Sequence, residues 1–152
     1  MTISRSLFRS LLQAGLGLVA VLLLSACGNQ QAGYQITDRH NSLAVTREQQ
    51  HPWSEWTNNV IVSFYPACQR RYPLKPSPSI AIKVDVYRIS QQVYVFNHGK
   101  RWYITEVPTC RWQEYETQPP EPGELIGSFK IKEDNLIWED NPELKKNAPA
   151  AK

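Results

Sequence analysis

Basic and aromatic side chains stand side by side at three places in the sequence, and these residues have the chemistry best suited to binding. The three groups are Arg70-Arg71-Tyr72, Lys100-Arg101-Trp102 and Arg111-Trp112. Guanidinium groups form paired hydrogen bonds with carboxylates and phosphates, and indole faces stack on sugar rings or cations. An acidic protein, a lipid headgroup or a glycan would each fit. The structural alternative is that Trp102 and Trp112 are core or rim residues covered by arginine stems.

No pattern in the sequence indicates catalysis or cofactor binding. Gly127-Ser128 is the nearest approach to a strained nucleophile turn, but it lies inside a segment that has the pattern of a strand. Carboxylates at Glu114, Glu116, Glu121 and Glu124 could act in pairs on a glycoside, although their strand-edge and proline-rich setting favours exposed solubility residues. A phosphate-binding glycine loop and metal-ligand spacings are absent from the sequence. We therefore expect no enzyme, no cofactor and no metal site.

The first 27 residues are organised like an export signal. Two arginines and no acid precede an apolar run of 14 residues (11–24), and Leu24-Ser25-Ala26-Cys27 follows with small residues before a thiol. A helix of that length spans only ~21 Å, which is short of the ~30 Å hydrocarbon layer of a membrane. The segment resembles the signal peptide and lipobox of bacterial envelope lipoproteins.

This resemblance implies that residues 1–26 are a signal peptide and that the thiol of Cys27 carries a diacylglyceryl group. Two or three acyl chains would hold the protein stably on a membrane. Gly28 follows the cysteine where an Asp would favour retention in the inner membrane, so the expected location is the outer membrane, facing the periplasm. The alternatives are an ordinary secretory signal with a nearby cysteine, or an uncleaved helix in which Cys27 is a buried thiol.

With Cys27 assigned to lipid by this resemblance, two cysteines remain in a chain that would meet an oxidising compartment. We expect a disulfide between Cys68 and Cys110. A metal pair or a redox couple has less support, because there is neither a C-x-x-C spacing nor a histidine cluster. The disulfide would bring Arg70 and Arg71 towards Arg111 and Trp112.

The segments that must position these residues have strand patterns. We expect a lipidated tether over 27–33, a β-rich domain over 34–140 and a disordered tail over 141–152. Within the domain, residues 34–38 form a possible first strand and 60–65 a second that Pro66 ends, with a loop after Cys68. Residues 51–56 suit a turn or a short helical segment that lays Trp53 and Trp56 against the sheet.

Residues 80–106 contain three segments of alternating polarity, which predict a three-stranded meander. A hairpin with His98 and Gly99 at its centre would pair Val95 with Trp102. An even-length turn near residue 90 would then place one apolar surface on all three strands. That surface would contain Val84, Val86, Val93, Val95, Trp102 and Ile104.

A further hairpin is predicted from 125–129 and 136–139, and no long helical pattern follows the export signal. The fold class is therefore mainly β: a small antiparallel β-sandwich or a partly open β-barrel that contains the meander. The 126 residues left after cleavage of the signal would suffice for one domain with its own core.

Charge excludes one class of partner. The formal net charge of +3 falls to +1 once the two arginines of the export signal are removed, and both signs alternate along the rest. Nucleic acid is therefore not expected, because it requires a concentrated basic face.

The leading hypothesis is a non-catalytic lipoprotein that binds another envelope protein through a sheet edge or the aromatic-basic residues. A peptidoglycan-binding module and a small envelope hydrolase are the alternatives.

Overall fold

The computed structural model describes residues 28–51, 53–77 and 82–147, and these form two antiparallel sheets packed face to face. A four-stranded sheet has the order β1-β2-β3-β4, and a six-stranded sheet has the order β10-β9-β5-β6-β7-β8. The strands are β1 (Gly28–Gln35), β2 (Asn41–Gln49), β3 (Thr57–Phe64), β4 (Cys68–Pro73), β5 (Lys83–Arg88), β6 (Val93–His98), β7 (Arg101–Glu106), β8 (Arg111–Tyr115), β9 (Glu124–Lys132) and β10 (Asn135–Asp140). The sheets do not close into a barrel, so the prediction of a β-sandwich is confirmed.

The core lies between the two sheets and is formed by every second side chain of the strands, those that point towards the opposite sheet. The four-stranded sheet contributes Leu43 and valines to it, and the six-stranded sheet contributes valines and aromatic rings. Its fully buried members include Leu43, Val45, Val60, Val62, Val84, Val86, Tyr94, Phe96, Tyr103 and Phe129. β3 is buried on both sides: Val60 and Val62 face the core, and Asn59 and Ser63 on the other side of the strand are also buried.

The domain begins earlier than the sequence pattern indicated. Residues 28–33, expected to be a tether, form the greater part of β1 and pair with β2 from Gly28 opposite Gln49 to Gln35 opposite Ser42. The expected strand over 34–38 is wrong beyond Gln35, because residues 36–40 make the turn into β2. Backbone pairing explains the difference, since a polar segment can form an edge strand when its neighbour supplies the hydrogen bonds.

The expected disordered tail is also wrong for the part of it that the structure describes. Pro142–Asn147 form a short helix, α1, whose first turn is capped by a hydrogen bond from the Glu143 amide to Asn141 Oδ1 (3.1 Å). Leu144 packs against the core. Residues 148–152 lie outside the described part of the chain.

The meander is confirmed as β5, β6 and β7, but its facing is not the predicted one. Val84 lies opposite His98, Val86 opposite Phe96 and Arg88 opposite Tyr94, so five residues (89–93), an odd number, lie between the last two opposed residues. The sequence pattern had assumed an even number, and this difference turns the other set of β6 side chains towards the core. The core face therefore combines the β5 valines with Tyr94, Phe96 and Tyr103, while Val93, Val95, Trp102 and Ile104 lie on the opposite face.

The second hairpin of the meander is shifted by two residues from the prediction. Asn97 lies opposite Trp102 and Val95 opposite Ile104, with Gly99 and Lys100 in the turn. Gly99 has a φ of 63°, which glycine adopts without steric cost. A shift of two residues preserves parity, so the facing of β7 relative to β6 is as predicted.

The connection between β8 and β9 crosses the outer side of the six-stranded sheet. It leaves β8 beside Trp102 and enters β9 beside Arg88, at opposite corners of that sheet. Pro119 and Pro122 in this connection are half-buried, and Val95 on the outer side of the sheet is 0% exposed. The proline-rich stretch is thus a strap over the outer face.

The predicted hairpin of β9 and β10 is confirmed, with Glu133 and Asp134 at positive φ in its two-residue turn.

The two ends of the sandwich differ. We call the end that carries Gly28, the connection 50–56 and the turns at 99–100 and 133–134 the proximal end. The distal end carries the turns at 36–40 and 89–92 and the disulfide described below. The expectation that Trp53 and Trp56 both pack on the sheet is half wrong, because Trp53 is 82% exposed while Trp56 is half-buried.

Candidate functional site: the adjacent edges of β4 and β8

A disulfide joins the edge strands of the two sheets. Cys68 begins β4 and Cys110 immediately precedes β8, and the two are bonded with a Cα–Cα distance of 6.1 Å. The predicted pairing is confirmed, whereas the loop expected after Cys68 is instead β4. A short 3-10 turn, Val107–Thr109, places Cys110 so that it is 2% exposed. β4 and β8 therefore lie next to each other on one side of the sandwich.

Aromatic rings fill the space between these edges. The rings of Tyr72 and Trp112 stack with centroids 4.8 Å apart and planes 3° apart. Trp112 also stacks on Tyr103 (5.1 Å) and contacts Phe96 (5.5 Å), while the Tyr72 hydroxyl donates a hydrogen bond to the Cys110 carbonyl. Much of the indole surface is thus used by the protein itself, as in the structural alternative for this residue.

A groove of about 420 Å³ opens beside this stack. Its lining residues are Tyr72, Pro73, Leu74, Lys75, Pro76, Trp112 and Glu114. Leu74 is buried, and the Lys75 amide donates a hydrogen bond to the Tyr103 hydroxyl (3.1 Å), which fixes the chain where it leaves β4. Burial raises the pKa of Tyr103, with the amide of Lys75 opposing that shift. The groove has an apolar floor and a charged rim.

The charges on that rim cancel one another. Lys75 Nζ lies 2.8 Å from Glu114 Oε1, and Arg101 Nη1 lies 3.2 Å from the same oxygen and 2.9 Å from Glu116 Oε1. Two cations and two carboxylates therefore share one network. Because the pairs are exposed, their contribution to stability is small. They nevertheless reduce the attraction of this surface for an anionic ligand.

The remaining residues of the predicted binding surface lie elsewhere. Arg71 is on the outer side of the four-stranded sheet, where it contacts Thr46 Oγ1 (3.0 Å) and pairs with Glu48. Trp102 and Arg111 are on the outer side of the six-stranded sheet, and Trp102 contacts the ring of Tyr87. Arg70 is exposed on β4. Neither Arg70 nor Arg111 has an ion-pair partner among the described residues.

The six residues proposed as one surface thus fall on different faces. Successive residues of a strand point to opposite sides, which separates Arg70 from Arg71, Arg101 from Trp102 and Arg111 from Trp112. The structure brings Trp112 and Arg101 to the groove region. Arg70 lies on the same side of β4 as Tyr72 but does not line the groove, and Arg71, Trp102 and Arg111 are on the outer sides of the sheets. Sequence reasoning missed Leu74, Lys75 and Glu114 as groove residues. The one indication was Leu74, an isolated apolar residue in a proline-rich stretch.

A second cavity, of about 270 Å³, lies at the distal end between the sheets. It is lined by Tyr34, Ile36, Thr37, Asn41, Phe64, Arg88, Gln91, Gln92, Tyr94, Val107 and Pro108. Arg88 is held by Glu124 (2.8 Å), and this hydrogen bond is the main cause of its raised pKa. Burial raises the pKa of Tyr94, and the neighbouring Tyr34 hydroxyl adds to the rise. The cavity mixes rings, amides and one paired guanidinium.

Cys27 and the export signal lie outside the described residues. Among the helices that the structure describes, none is long and apolar enough to cross a membrane. The described side chains include no group of three histidine, cysteine, aspartate or glutamate residues placed to hold a metal ion. Comparison with protein-family models, curated proteins and solved structures found no match.

Proposed function

We propose that this protein is a lipid-anchored component of the bacterial envelope that binds another envelope protein through the free edge of β8 and the groove beside it. The anchor follows from the lipobox ending at Cys27, and the outer membrane, facing the periplasm, is the proposed location. The observation that carries the binding role is that β8 ends the six-stranded sheet with four of its five residues exposed.

An edge strand of this kind can accept a further strand. Its outward amides and carbonyls have no partner strand among the described residues, since β8 pairs only with β7. An extended segment of another protein would complete these hydrogen bonds and gain affinity from the main chain. The disulfide at Cys110 fixes the start of β8, so little ordering of the edge would be needed on binding.

The groove would add specificity to such pairing. Side chains of an added strand that point towards β4 would meet the rings of Tyr72 and Trp112 and the buried Leu74. Alternate side chains of a bound strand enter pockets in this way in other complexes formed by strand addition. We therefore expect a partner segment with an apolar residue at every second position.

Protein is favoured over glycan and over a purely anionic partner for physical reasons. Trp112, the aromatic residue of the groove with the largest ring, already stacks on Tyr72 and Tyr103, which leaves little indole face for a sugar ring. Arg101 is paired with two carboxylates. Main-chain pairing requires neither a free indole face nor a free guanidinium.

The test is photocrosslinking in the cells that make the protein. A photoreactive amino acid at Gln113, exposed on β8, is expected to capture one envelope protein that the same residue at Gln31, exposed on β1, does not capture. Mass spectrometry of the purified protein should show Cys27 as the first residue with its acyl chains.

Equal capture from both positions, or none from Gln113, would contradict the edge-binding role. Retention of the protein on isolated peptidoglycan, with no protein captured, would favour the glycan-binding alternative. An unmodified Cys27 would contradict the anchor.

A further inference from the structure

β1 begins at the residue that directly follows the proposed lipid attachment site. Gly28 is the first residue of β1 and pairs with Gln49, the last residue of β2. The Cα of Cys27 can lie only ~3.8 Å from that of Gly28. No spacer therefore separates the acyl chains from the folded sandwich, in contrast to the tether expected from the sequence.

Gly28 is also held by the protein around it. A Cβ on this residue would collide with the ring of Trp56, which lies directly over its backbone. The guanidinium of Arg47 lies 4.0 Å from the centre of the same ring. The strand end that would carry the lipid is thus fixed by pairing on one side and by an aromatic ring above it.

The direction of the strands decides what lies beside the lipid. β1 and β2 are antiparallel, so the chain that precedes Gly28 leaves the sheet in the same direction as the chain that follows Gln49. That following chain is the connection 50–56. It would therefore extend towards the same surface as Cys27.

The described residues of the connection are held by hydrogen bonds and display a tryptophan. The Ser54 amide donates a hydrogen bond to the His51 carbonyl (2.9 Å), and Gln49 Nε2 donates one to the Ser54 carbonyl (2.7 Å). Trp53 stacks on His51 with centroids 5.9 Å apart and is 82% exposed. Tryptophan is enriched at the level of lipid headgroups, where an amphipathic ring meets both apolar and polar surroundings.

We infer that the connection 50–56 docks on the phospholipid surface, with Trp53 in the headgroup layer beside the anchor. The inference rests on the proposed lipidation of Cys27. The anchor and the indole together would set the orientation of the sandwich: the proximal end lies against the membrane and the distal cavity faces away from it. β8 then runs from the distal end towards the membrane, with its free edge open to a partner.

The experiment uses the native protein extracted from membranes, labelled with 5-fluorotryptophan and placed in phospholipid nanodiscs that carry a gadolinium headgroup. The five tryptophans give separate fluorine signals, assigned by Trp→Phe variants. Paramagnetic broadening falls steeply with distance. The Trp53 signal should lose most of its intensity and the Trp56 signal a smaller part, while those of Trp112 and Trp138 keep most of theirs.

A variant pair tests the role of the indole itself. Trp53→Ala should weaken the broadening of the Trp56 signal, because the proximal end is then held by the lipid alone. Ile89→Ala removes an exposed apolar side chain from the distal end and should leave that broadening unchanged. The fluorine shifts of the core tryptophans report whether each variant is folded.

The outcomes separate the inference from the proposed function. A lipidated protein whose Trp53 signal is broadened no more than those of Trp112 and Trp138 would overturn the membrane docking and leave the anchor standing. An intact mass without acyl chains on Cys27 would overturn both.

Discussion

Gly127 in β9 offers a sharp test of how closely β10 packs against β9. A Cβ on this residue would lie 2.5 Å from the carbonyl oxygen of Glu139 and 2.8 Å from Cη2 of Trp138. The Trp138 ring has little freedom to retreat, because it is packed between Tyr34 (4.7 Å between centroids) and Phe129 (4.8 Å). Gly127→Ala must therefore push β10 away from β9 or displace a core ring.

The magnitude follows from two opposing effects. Crowding of a packed core by one methyl group costs ~1–3 kcal/mol. Replacing glycine by alanine also restricts the unfolded chain, which stabilises by ~0.4–1 kcal/mol wherever the native site has room. Gly33→Ala in β1 is the matched control, because the nearest atom to its new Cβ is the Leu43 carbonyl oxygen at 3.9 Å. Because the restriction of the unfolded chain is common to both variants, they should differ by the crowding cost alone, about 1–3 kcal/mol in their free energy of unfolding.

Urea denaturation followed by tryptophan fluorescence would measure both variants. We expect Gly127→Ala to unfold at a lower urea concentration than the unmodified protein and Gly33→Ala at an equal or higher one. Equal unfolding free energies for the two variants would refute the reasoning, since the close contact of Gly127 with β10 is the only basis for the difference.

Two further predictions concern the disulfide and a buried phenol. Replacing both Cys68 and Cys110 by alanine should lower the unfolding free energy by ~4 kcal/mol, from the loop-closure entropy for a separation of 42 residues; a loss below ~1 kcal/mol in urea denaturation would contradict this account. Burial raises the pKa of Tyr94 in the folded protein above its value in the unfolded chain. The protonated phenol therefore contributes stability below the pKa of the unfolded chain, and this contribution is lost as the pH rises towards the pKa of the folded protein. The unfolding free energy should therefore fall above pH ~10, less steeply in Tyr94→Phe than in the exposed control Tyr65→Phe; equal slopes in the two variants would argue against a buried phenol.

Sequence reasoning was most successful for local features. Alternation of polarity located β5, β6 and β7, and the polar residues between 132 and 135 located the last hairpin. The disulfide pairing followed once Cys27 had been assigned to lipid, because only two cysteines remained. These features depend on residue types and short spacings, which the sequence displays directly.

The facing of the meander failed for a specific reason. Val84 and Val86 meet the core together with Tyr94 and Phe96, not with Val93 and Val95. Either set is apolar enough for a core, so the pattern alone could not select between them. The number of residues in the turn after Arg88 made the choice, and turn length is not visible in hydrophobic periodicity.

The candidate site also depends on contacts that the sequence does not display. Basic and aromatic residues are neighbours in sequence, yet strand alternation sends Arg71 and Trp102 away from the groove that contains Trp112. Tyr72 and Trp112 stack although 40 positions separate them in the chain. Contacts of this range arise only when both sheets are assembled.

The sequence by itself determined the strands of the meander and of the last hairpin, which cysteines are available to pair, and the prediction of a lipid at Cys27. The tertiary structure alone decided which faces meet, that Gly28 starts a strand instead of a tether, and that Trp53 is exposed beside it. The reason is physical: alternating polarity along the chain marks a half-buried strand, whereas facing, edge position, exposure and the pairing of a polar strand such as β1 depend on turn lengths and on which strands pack together.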